Sequence, residues 1–185
     1  IEYAIKNTSN QSIQIEFNIE AVSNLMPVWL GERTGMINSK DLASFDPSNN
    51  RWMVKDSLNP WYVVHGSTVK GEASKMVFSK TNKPNTAVSN TTYKIEIKPN
   101  AVYYLPFTIA GSAKSKEQAM SSYNQIKNAA ASLLAIKKKR VLNLNQYSTL
   151  TLNDNAIATS FEWLKYNSDW LTQDVEGIGT GVVSG

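Results

Sequence analysis

The amino-acid sequence predicts a mainly β protein, an antiparallel β-sandwich followed by helices. Two observations lead to this prediction. Up to about Gly111, short apolar runs alternate with polar residues at a period of two and are separated by turn residues, which is typical of antiparallel strands. From Ser115 onward, apolar residues recur every three or four positions, which indicates amphipathic helices. No helix-period segment interrupts the first half, and this argues against a parallel βαβ sheet.

The strands of the first half follow from local patterns. Residues 13–19 alternate between apolar and polar side chains, so we expect a strand with one buried face. Two short apolar runs, 42–46 and 51–55, flank a proline and paired asparagines, and this spacing predicts a hairpin. Further β-branched and aromatic runs occupy residues 61–65, 93–97 and 102–109.

The second half predicts two helices. Ser115 and Gln118 fit a capping box, and the first helix is expected to reach about Lys139, with the basic run 137–140 at its C-terminal end. Asn153 is expected to cap the second helix. Its apolar side chains occupy two adjacent faces, Ile157, Phe161, Leu164 and Leu171 on one and Trp163 and Trp170 on the other. Such a helix needs more protein around it than one short chain offers, so we expect a neighbouring domain or molecule.

Composition excludes several kinds of chemistry. Among 185 residues there are 19 Lys and Arg, 15 Asp and Glu, one His and no Cys. Without cysteine there is no disulfide framework, no thiolate nucleophile and no Cys-ligated metal site. No stretch approaches the ~20 apolar residues of a membrane span, so no membrane partner is expected. The chain starts without methionine in a strand-like segment, from which we expect upstream processing or a longer polypeptide.

The acidic residues offer no evident catalytic pair. Two carboxyl groups can act as general acid and general base when both reach the same substrate. Glu16 and Glu20 share a strand face, but the alternation makes it the solvent face. Asp169, Asp174 and Glu176 cluster near the end of the second helix, where they fit capping or interdomain contact, with a sugar-binding loop as the alternative. We therefore expect no catalytic residue in this chain.

Trp29, Glu32 and Arg33 are the candidate substrate-binding residues. They lie in a glycine-broken segment, and an aromatic face beside a charged pair is typical of sugar binding. The alternative is a buried ion pair between Glu32 and Arg33 that holds the loop.

Two other features are interpreted as structural, and a third as a loop. His65, on an aromatic strand, lacks a nucleophile motif. The basic run 137–140 fits a solvated helix end, with nucleic-acid contact as the alternative. Gly177, Gly179 and Gly181 match no phosphate-binding spacing, and they favour a mobile or substrate-shaping loop. We therefore expect no cofactor, no metal and no nucleic-acid partner.

Three segments carry a family resemblance. They are 25–35 (LMPVWLGERTG), 55–64 (KDSLNPWYVV) and, above all, 161–171 (FEWLKYNSDWL). Together they resemble glycogen-debranching-type enzymes, the amylo-alpha-1,6-glucosidase relatives among the six-hairpin glycosidases. In that family an N-terminal β-sandwich is joined by a linker helix to an (α/α)6 barrel that carries the catalytic acids on later loops.

The resemblance implies a domain plan and a function. Residues 1–112 would form the β-sandwich, 113–147 the linker helix, and 148–185 the truncated start of the catalytic helical barrel. The chain would be a non-catalytic part of a cytoplasmic α-glucan hydrolase, with secretion left open. Its partners would be the catalytic (α/α)6 domain or a second polypeptide of the same enzyme, together with an α-glucan oligosaccharide. The alternative is a free-standing carbohydrate-binding or interaction module.

Overall fold

The computed structural model describes residues 1–27, 31, 33, 35–74, 84–175, 177 and 179–182. The chain is mainly β, with several antiparallel sheets and two helices, and divides into two compact units, Ile1–Asn128 and Ala129–Gly185. The strands are β1 (Glu2–Lys6), β2 (Ile13–Ser23), β3 (Asp41–Asp46), β4 (Arg51–Asp56), β5 (Tyr62–Gly66), β6 (Glu72–Ser74), β7 (Ala87–Ile97), β8 (Val102–Pro106), β9 (Thr108–Ser112), β10 (Thr172–Val175) and β11 (Gly179–Val182). The helices are α1 (Lys116–Tyr147) and α2 (Asn155–Leu171).

The strands of the first unit pair in three antiparallel sheets, ordered β2-β7-β6, β3-β4-β5-β9 and β1-β8. The predicted strand at 13–19 is confirmed as part of β2, whose residues alternate between half-buried and exposed. The predicted hairpin is also confirmed, because β3 and β4 pair with Asp46 opposite Arg51. In its turn, Asn50 has a φ of 50°, a backbone conformation that asparagine tolerates better than most residues.

Two of these sheets face each other and are joined by buried polar contacts. The indole Nε1 of Trp52 on β4 donates to Thr91 Oγ1 on β7 at 3.0 Å. The Nε2 atom of His65 on β5 lies 3.1 Å from Ser89 Oγ, also on β7. Val54, next to Trp52 on the same face of β4, is fully buried. Apolar burial therefore drives a sandwich-like packing, and the hydrogen bonds satisfy the polar atoms that it encloses.

The β1–β8 pair covers a second apolar cluster. Its buried members are Tyr93, Ile95, Ile97 and Leu105, against which the inward side chains of β1 and β2 pack. Asn7, which follows β1 and is 1% exposed, donates from Nδ2 to three backbone carbonyls, including that of Ile97 at 3.0 Å. This amide fastens the β1–β2 connection to the end of β7.

The first half of α1 covers the other face of the four-stranded sheet. Ala119 and Tyr123 are buried against Val64 of β5 and Ala110 of β9. The predicted cap is confirmed, because Ser115 Oγ accepts a hydrogen bond from the Gln118 N–H at 3.1 Å. A capping box also requires the Gln118 side chain to accept from the Ser115 N–H. That part of the prediction is wrong, because the Gln118 side chain accepts from the hydroxyl of Ser112 instead.

Three predicted helix features are corrected by the structure. The helix α1 continues to Tyr147 instead of ending near Lys139, so the basic run 137–140 lies inside the helix and not at its C-terminus. It is broken at Ala129, which has a φ of −123° and a ψ of 18°. The cap of α2 is Asp154, one residue after the predicted Asn153, and its side chain accepts from the N–H groups of Ala156 and Ile157.

The glycine-containing segment after α2 is a short hairpin. The strands β10 and β11 pair antiparallel, with Val175 opposite Gly179. Gly177 and Gly179 have φ values of 81° and 106°, which residues with a side chain rarely adopt. These glycines are therefore explained by the turn geometry. Neither helix in the described part of the chain is long and apolar enough to cross a membrane.

Candidate functional site

The predicted substrate-binding residues are placed only in part. Trp29 and Glu32 lie outside the described residues. Arg33 is exposed and forms no ion pair with a described residue. Its described neighbours Gly31 and Met36 both line an apolar groove on the first unit. The segment chosen from the sequence therefore borders a concave surface.

This apolar groove has a volume of about 510 Å³ and is formed by three separate parts of the chain. One is the segment before and around Gly31, one is Trp61 with the start of β5, and one is the end of β9 with the residue that follows it. Its described lining residues are Leu25, Met26, Pro27, Gly31, Met36, Trp61, Tyr62, Val63, Gly111, Ser112 and Ala113. A cavity of this size is in the range of ligand sites in proteins.

The groove offers few groups for hydrogen bonding. No described lining residue is charged. The hydroxyl of Ser112 is already engaged, since it donates to Gln118 and accepts from the N–H groups of Lys114 and Ser115. Met26 and Met36 are each about half exposed, at 50% and 49%. A sugar needs convergent polar groups as well as an aromatic face, so this lining suits an apolar side chain better.

A pair of buried carboxyl groups lies on the adjoining hairpin. Asp41 and Asp56 are opposite each other in the β3–β4 register and are 3% and 0% exposed. Burial raises the pKa of Asp41, the hydrogen bond from the Leu25 N–H opposes this rise, and the charge of Asp56 adds to it. Oδ1 of Asp41 is buried without a hydrogen-bond partner.

Asp56 organises the turn that follows β4. Burial alone would raise the pKa of this carboxyl, but hydrogen bonds from Ser39, Asn59 and Leu58 lower it below its usual value. Oδ1 accepts from the Ser39 hydroxyl at 2.6 Å and from the Asn59 N–H at 2.7 Å. Because Asp56 is fully buried and both of its carboxylate oxygens accept hydrogen bonds, we assign it the structural role of holding this turn.

The sole histidine is enclosed between the sheets. His65 is 4% exposed, and its ring centroid lies 5.7 Å from that of Phe107. Burial lowers the pKa of His65 to about 4. Nδ1 is buried without a hydrogen-bond partner. The expectation of a structural histidine agrees with this enclosure, since neither the ring nor Ser89 beside it is open to a substrate.

Glu16 and Glu20 are both exposed on β2, as expected for the solvent face of that strand. Asp169 joins the two helices of the second unit, because Oδ1 accepts from Arg140 Nη2 at 2.6 Å. Asp174 accepts from the hydroxyl of Thr180 in the β10–β11 hairpin. Glu176 lies outside the described residues. The acids after α2 and the surface acids of β2 thus form no described catalytic pair.

The second unit exposes an extensive apolar surface. No residue of α2 is buried. Trp163, Leu164 and Trp170 are 52%, 62% and 51% exposed, and the two indole rings lie edge to face with centroids 6.2 Å apart. Further exposed apolar side chains in this unit are Leu133, Leu134, Ile136, Leu142, Tyr147, Ile157 and Leu171. We call α2 and the part of α1 after Ala129 the helix pair.

Polar contacts hold the helix pair together. The ion pair between Arg140 and Asp169 is joined by a hydrogen bond from Tyr166 to Asn145 at 2.9 Å. The ammonium of Lys165 donates to the Ser148 carbonyl at 2.7 Å and pairs with Glu162. These contacts align the two helices while leaving their apolar faces open. A helix pair without buried residues lacks the core on which most helical stability depends.

No model of a protein family matches the chain. No curated protein matches it either.

Sequence reasoning missed the groove and the buried carboxyl pair. Trp61 and Tyr62 were recognised as strand residues, but their position opposite Leu25 and Met26 depends on tertiary packing. Asp41 and Asp56 lie one residue outside the predicted runs 42–46 and 51–55, and extending the predicted register by one pair would have placed them opposite each other. A local signal for the pair therefore existed.

Proposed function

We propose that this chain is the non-catalytic β-sandwich and linker part of an α-glucan hydrolase of the glycogen-debranching type. Its helix pair would support the catalytic (α/α)6 domain. The observation that supports this proposal is the exposed face of α2, which buries no residue although it carries two tryptophans, two leucines and an isoleucine. The resemblance of residues 161–171 supplies the identity of the supported domain.

The size of the exposed face explains why a neighbour would stabilise it. Each indole of the helix pair is half exposed, so covering it would remove roughly 100 Å² of surface from water. At about 25 cal/mol per Å², each tryptophan would contribute about 2.5 kcal/mol to docking. Two such residues at the centre of an interface are enough to act as anchors.

The carboxyl pair on the β3–β4 hairpin is closed to a substrate, which also favours a supporting role. Asp41 and Asp56 adjoin each other, but both are buried. Glycosidases need one protonated and one ionised carboxyl group with access to the sugar. Asp41 and Asp56 lack that access. The catalytic groups are therefore assigned to the supported domain.

The test compares two proteins. One is the product of the complete coding region, which the proposal expects to continue after Gly185 into an aromatic-rich helical domain. The other is the chain 1–185 alone. We expect the complete product to release glucose from branched α-glucan dextrins and the isolated chain to release none. Hydrolysis by the isolated chain, or a coding region without a helical continuation or a second catalytic polypeptide, would contradict the proposal.

The docking role is tested separately in the complete product. Replacing Trp163 and Trp170 together by alanine should lower both the melting temperature and the activity, because the interface anchors are removed. Tyr104→Ala is the matched control, since Tyr104 is also an exposed aromatic residue, at 57%, but lies on β8. Equal stability and activity of the double variant and the control would refute docking through α2.

A free-standing interaction module is the second candidate. It is favoured by the apolar groove on the first unit, which carries no charged lining residue among those described. That lining fits a carbohydrate ligand less well, because it offers few groups for hydrogen bonding. Calorimetric titration of the chain with maltoheptaose separates the two, because measurable heat would support sugar binding and its absence would favour a protein partner.

A further inference from the structure

The side chain of Asp41 connects the β3–β4 hairpin to a segment that lines the apolar groove. Its Oδ2 accepts a hydrogen bond from the Leu25 N–H at 2.8 Å. Residues 25–27 all line the groove, and we call them the wall segment. The main chain of Asp41 is fixed separately, because its N–H donates to the Asn85 carbonyl at 2.9 Å. The carboxyl group therefore holds the wall segment against a strand that has its own anchor.

The surroundings of Asp41 disfavour its charged form. The residue is 3% exposed, and Oδ1 has no hydrogen-bond partner among the described residues. Asp56 lies opposite it and is fully buried, and both oxygens of Asp56 accept hydrogen bonds from Ser39, which favour a carboxylate there. Burial raises the pKa of Asp41, the hydrogen bond from the Leu25 N–H opposes this rise, and the charge of Asp56 adds to it. An ionised Asp41 is thus a buried carboxylate with one unsatisfied oxygen beside a second carboxylate.

The described cations nearest to Asp41 in the hairpin do not neutralise it. Lys40 precedes it and Lys55 precedes Asp56, but both lysines are exposed, and neither forms an ion pair with a described residue. The wall segment has no titratable side chain, and neither do residues 84–86 on the other side. Among the described residues, Asp56 is therefore the charged group that acts on Asp41.

We propose that Asp41 is a proton-dependent anchor of the groove wall, which holds the wall segment while it carries a proton and releases it when the proton is lost. In the protonated form Oδ2 can remain the carbonyl oxygen that accepts from Leu25. In the released state water reaches the carboxylate and screens it from Asp56. Because the closed arrangement binds the proton more tightly than the open one, the free energy of opening must fall as the pH rises through the titration of Asp41. The proposal uses only contacts of the first unit and does not depend on glycosidase activity.

Hydrogen exchange of the Leu25 amide tests the proposal, because this N–H group is itself bonded to Asp41. Its protection is measured by NMR between about pH 4 and pH 7 and corrected for the intrinsic exchange rate at each pH. We expect the protection to fall severalfold as the pH is raised. The reference is the Asn7 amide, which donates to the Ala101 carbonyl at 2.9 Å elsewhere in the first unit. Its protection should not fall, since the opening concerns the wall segment alone.

Variants and a second probe identify the group and the movement. Asp41→Asn is neutral at every pH and should make the Leu25 protection independent of pH. Glu20→Gln, which removes an exposed carboxyl group of β2, is the matched control and should keep the wild-type profile. The methyl resonance of Met26, labelled with ¹³C, should titrate together with the Leu25 protection in the wild type and stay constant in Asp41→Asn.

Three results would overturn the proposal. The first is a Leu25 protection that stays constant or rises with pH in the wild type, because the bond from Leu25 would then outweigh the cost of the buried charge. The second is the same profile in the wild type and Asp41→Asn. The third is a Met26 resonance that does not titrate, because the wall segment would then stay in place. The two wild-type measurements decide the question even if Asp41→Asn does not fold.

Discussion

The buried histidine predicts a specific dependence of stability on pH. His65 is enclosed between the two facing sheets with Nδ1 unpaired, and burial lowers its pKa from the ordinary 6.5 to about 4. In the unfolded chain the imidazole takes up a proton as the pH falls below 6.5. In the folded chain it remains neutral until about pH 4. The unfolded state therefore binds more protons between these values, and the free energy of unfolding must fall as the pH is lowered through this range.

The magnitude follows from the difference between the two pKa values. At about 1.4 kcal/mol per pKa unit, the full contribution of His65 is about 3 kcal/mol, present above pH 6.5 and lost by pH 4. Integration from pH 7 to pH 5 gives a loss of about 2 kcal/mol. This range is chosen because the lowered pKa values of Asp46 and Asp56 affect stability only below their ordinary value of 3.8.

The assay is urea unfolding of the wild type and His65→Gln at pH 7, 6 and 5. The glutamine is neutral throughout and can still reach Ser89, so its free energy of unfolding should lose about 2 kcal/mol less over this range than that of the wild type. The raised pKa of Asp41 acts in the opposite sense, stabilising the fold as the pH falls, but it is common to both proteins and cancels in the comparison.

A control and a direct measurement complete the test. Ser89→Ala removes the hydrogen-bond partner while leaving the ring buried, so it should keep the wild-type pH dependence at a lower overall stability. Because the chain has one histidine, its ring proton resonance can be followed without assignment. A wild-type slope no steeper than that of His65→Gln, or a resonance that titrates near pH 6.5, would refute the reasoning.

Three further predictions concern stability. Asp56→Asn should lower the free energy of unfolding in urea by about 2 kcal/mol, because the side-chain amide would then place an N–H group against the Ser39 N–H, which now donates to Oδ2. Glu20→Gln, at an exposed position of β2, is the control, and an equal loss in both variants would contradict the role assigned to Asp56. Trp52→Phe should lower the free energy of unfolding by about 1–2 kcal/mol, because Thr91 Oγ1 loses the indole N–H that donates to it. Adding Thr91→Val should restore part of this loss. If the losses of the two single variants are strictly additive in the double variant, the hydrogen bond does not stabilise the fold. Asp154→Ala should lower the free energy of unfolding by about 1 kcal/mol and reduce the helical signal in circular dichroism, because the N-cap acceptor of α2 is lost. Asp154→Ser keeps an acceptor and should change neither quantity. Equal effects of the two substitutions would show that Asp154 does not act as a cap.

Local patterns were sufficient for most strands of the first unit and for the existence of both helices, but not for β6 or the β10–β11 hairpin. Alternation in residues 13–19 places every second side chain on one face, whatever that face packs against, and the confirmed β2 strand shows this. The hairpin followed from turn chemistry, because its proline and asparagines favour the required backbone angles. The cap of α2 was misplaced by one residue, since Asn153 and Asp154 are both good capping residues and only the chain path selects between them.

The sequence pattern therefore determined local features. These are the periodicity of the elements, the turns, the helix caps to within one residue, and the excess of apolar side chains on α2 over what the described chain covers. The groove, the facing carboxyl groups of Asp41 and Asp56 and the enclosure of His65 arise between segments far apart in the chain. Periodicity identifies the buried face of a strand but not the residues of the opposing element. Those partners are chosen when the sheets pack and exclude water, because the shape of each layer limits which distant side chains can fill the other.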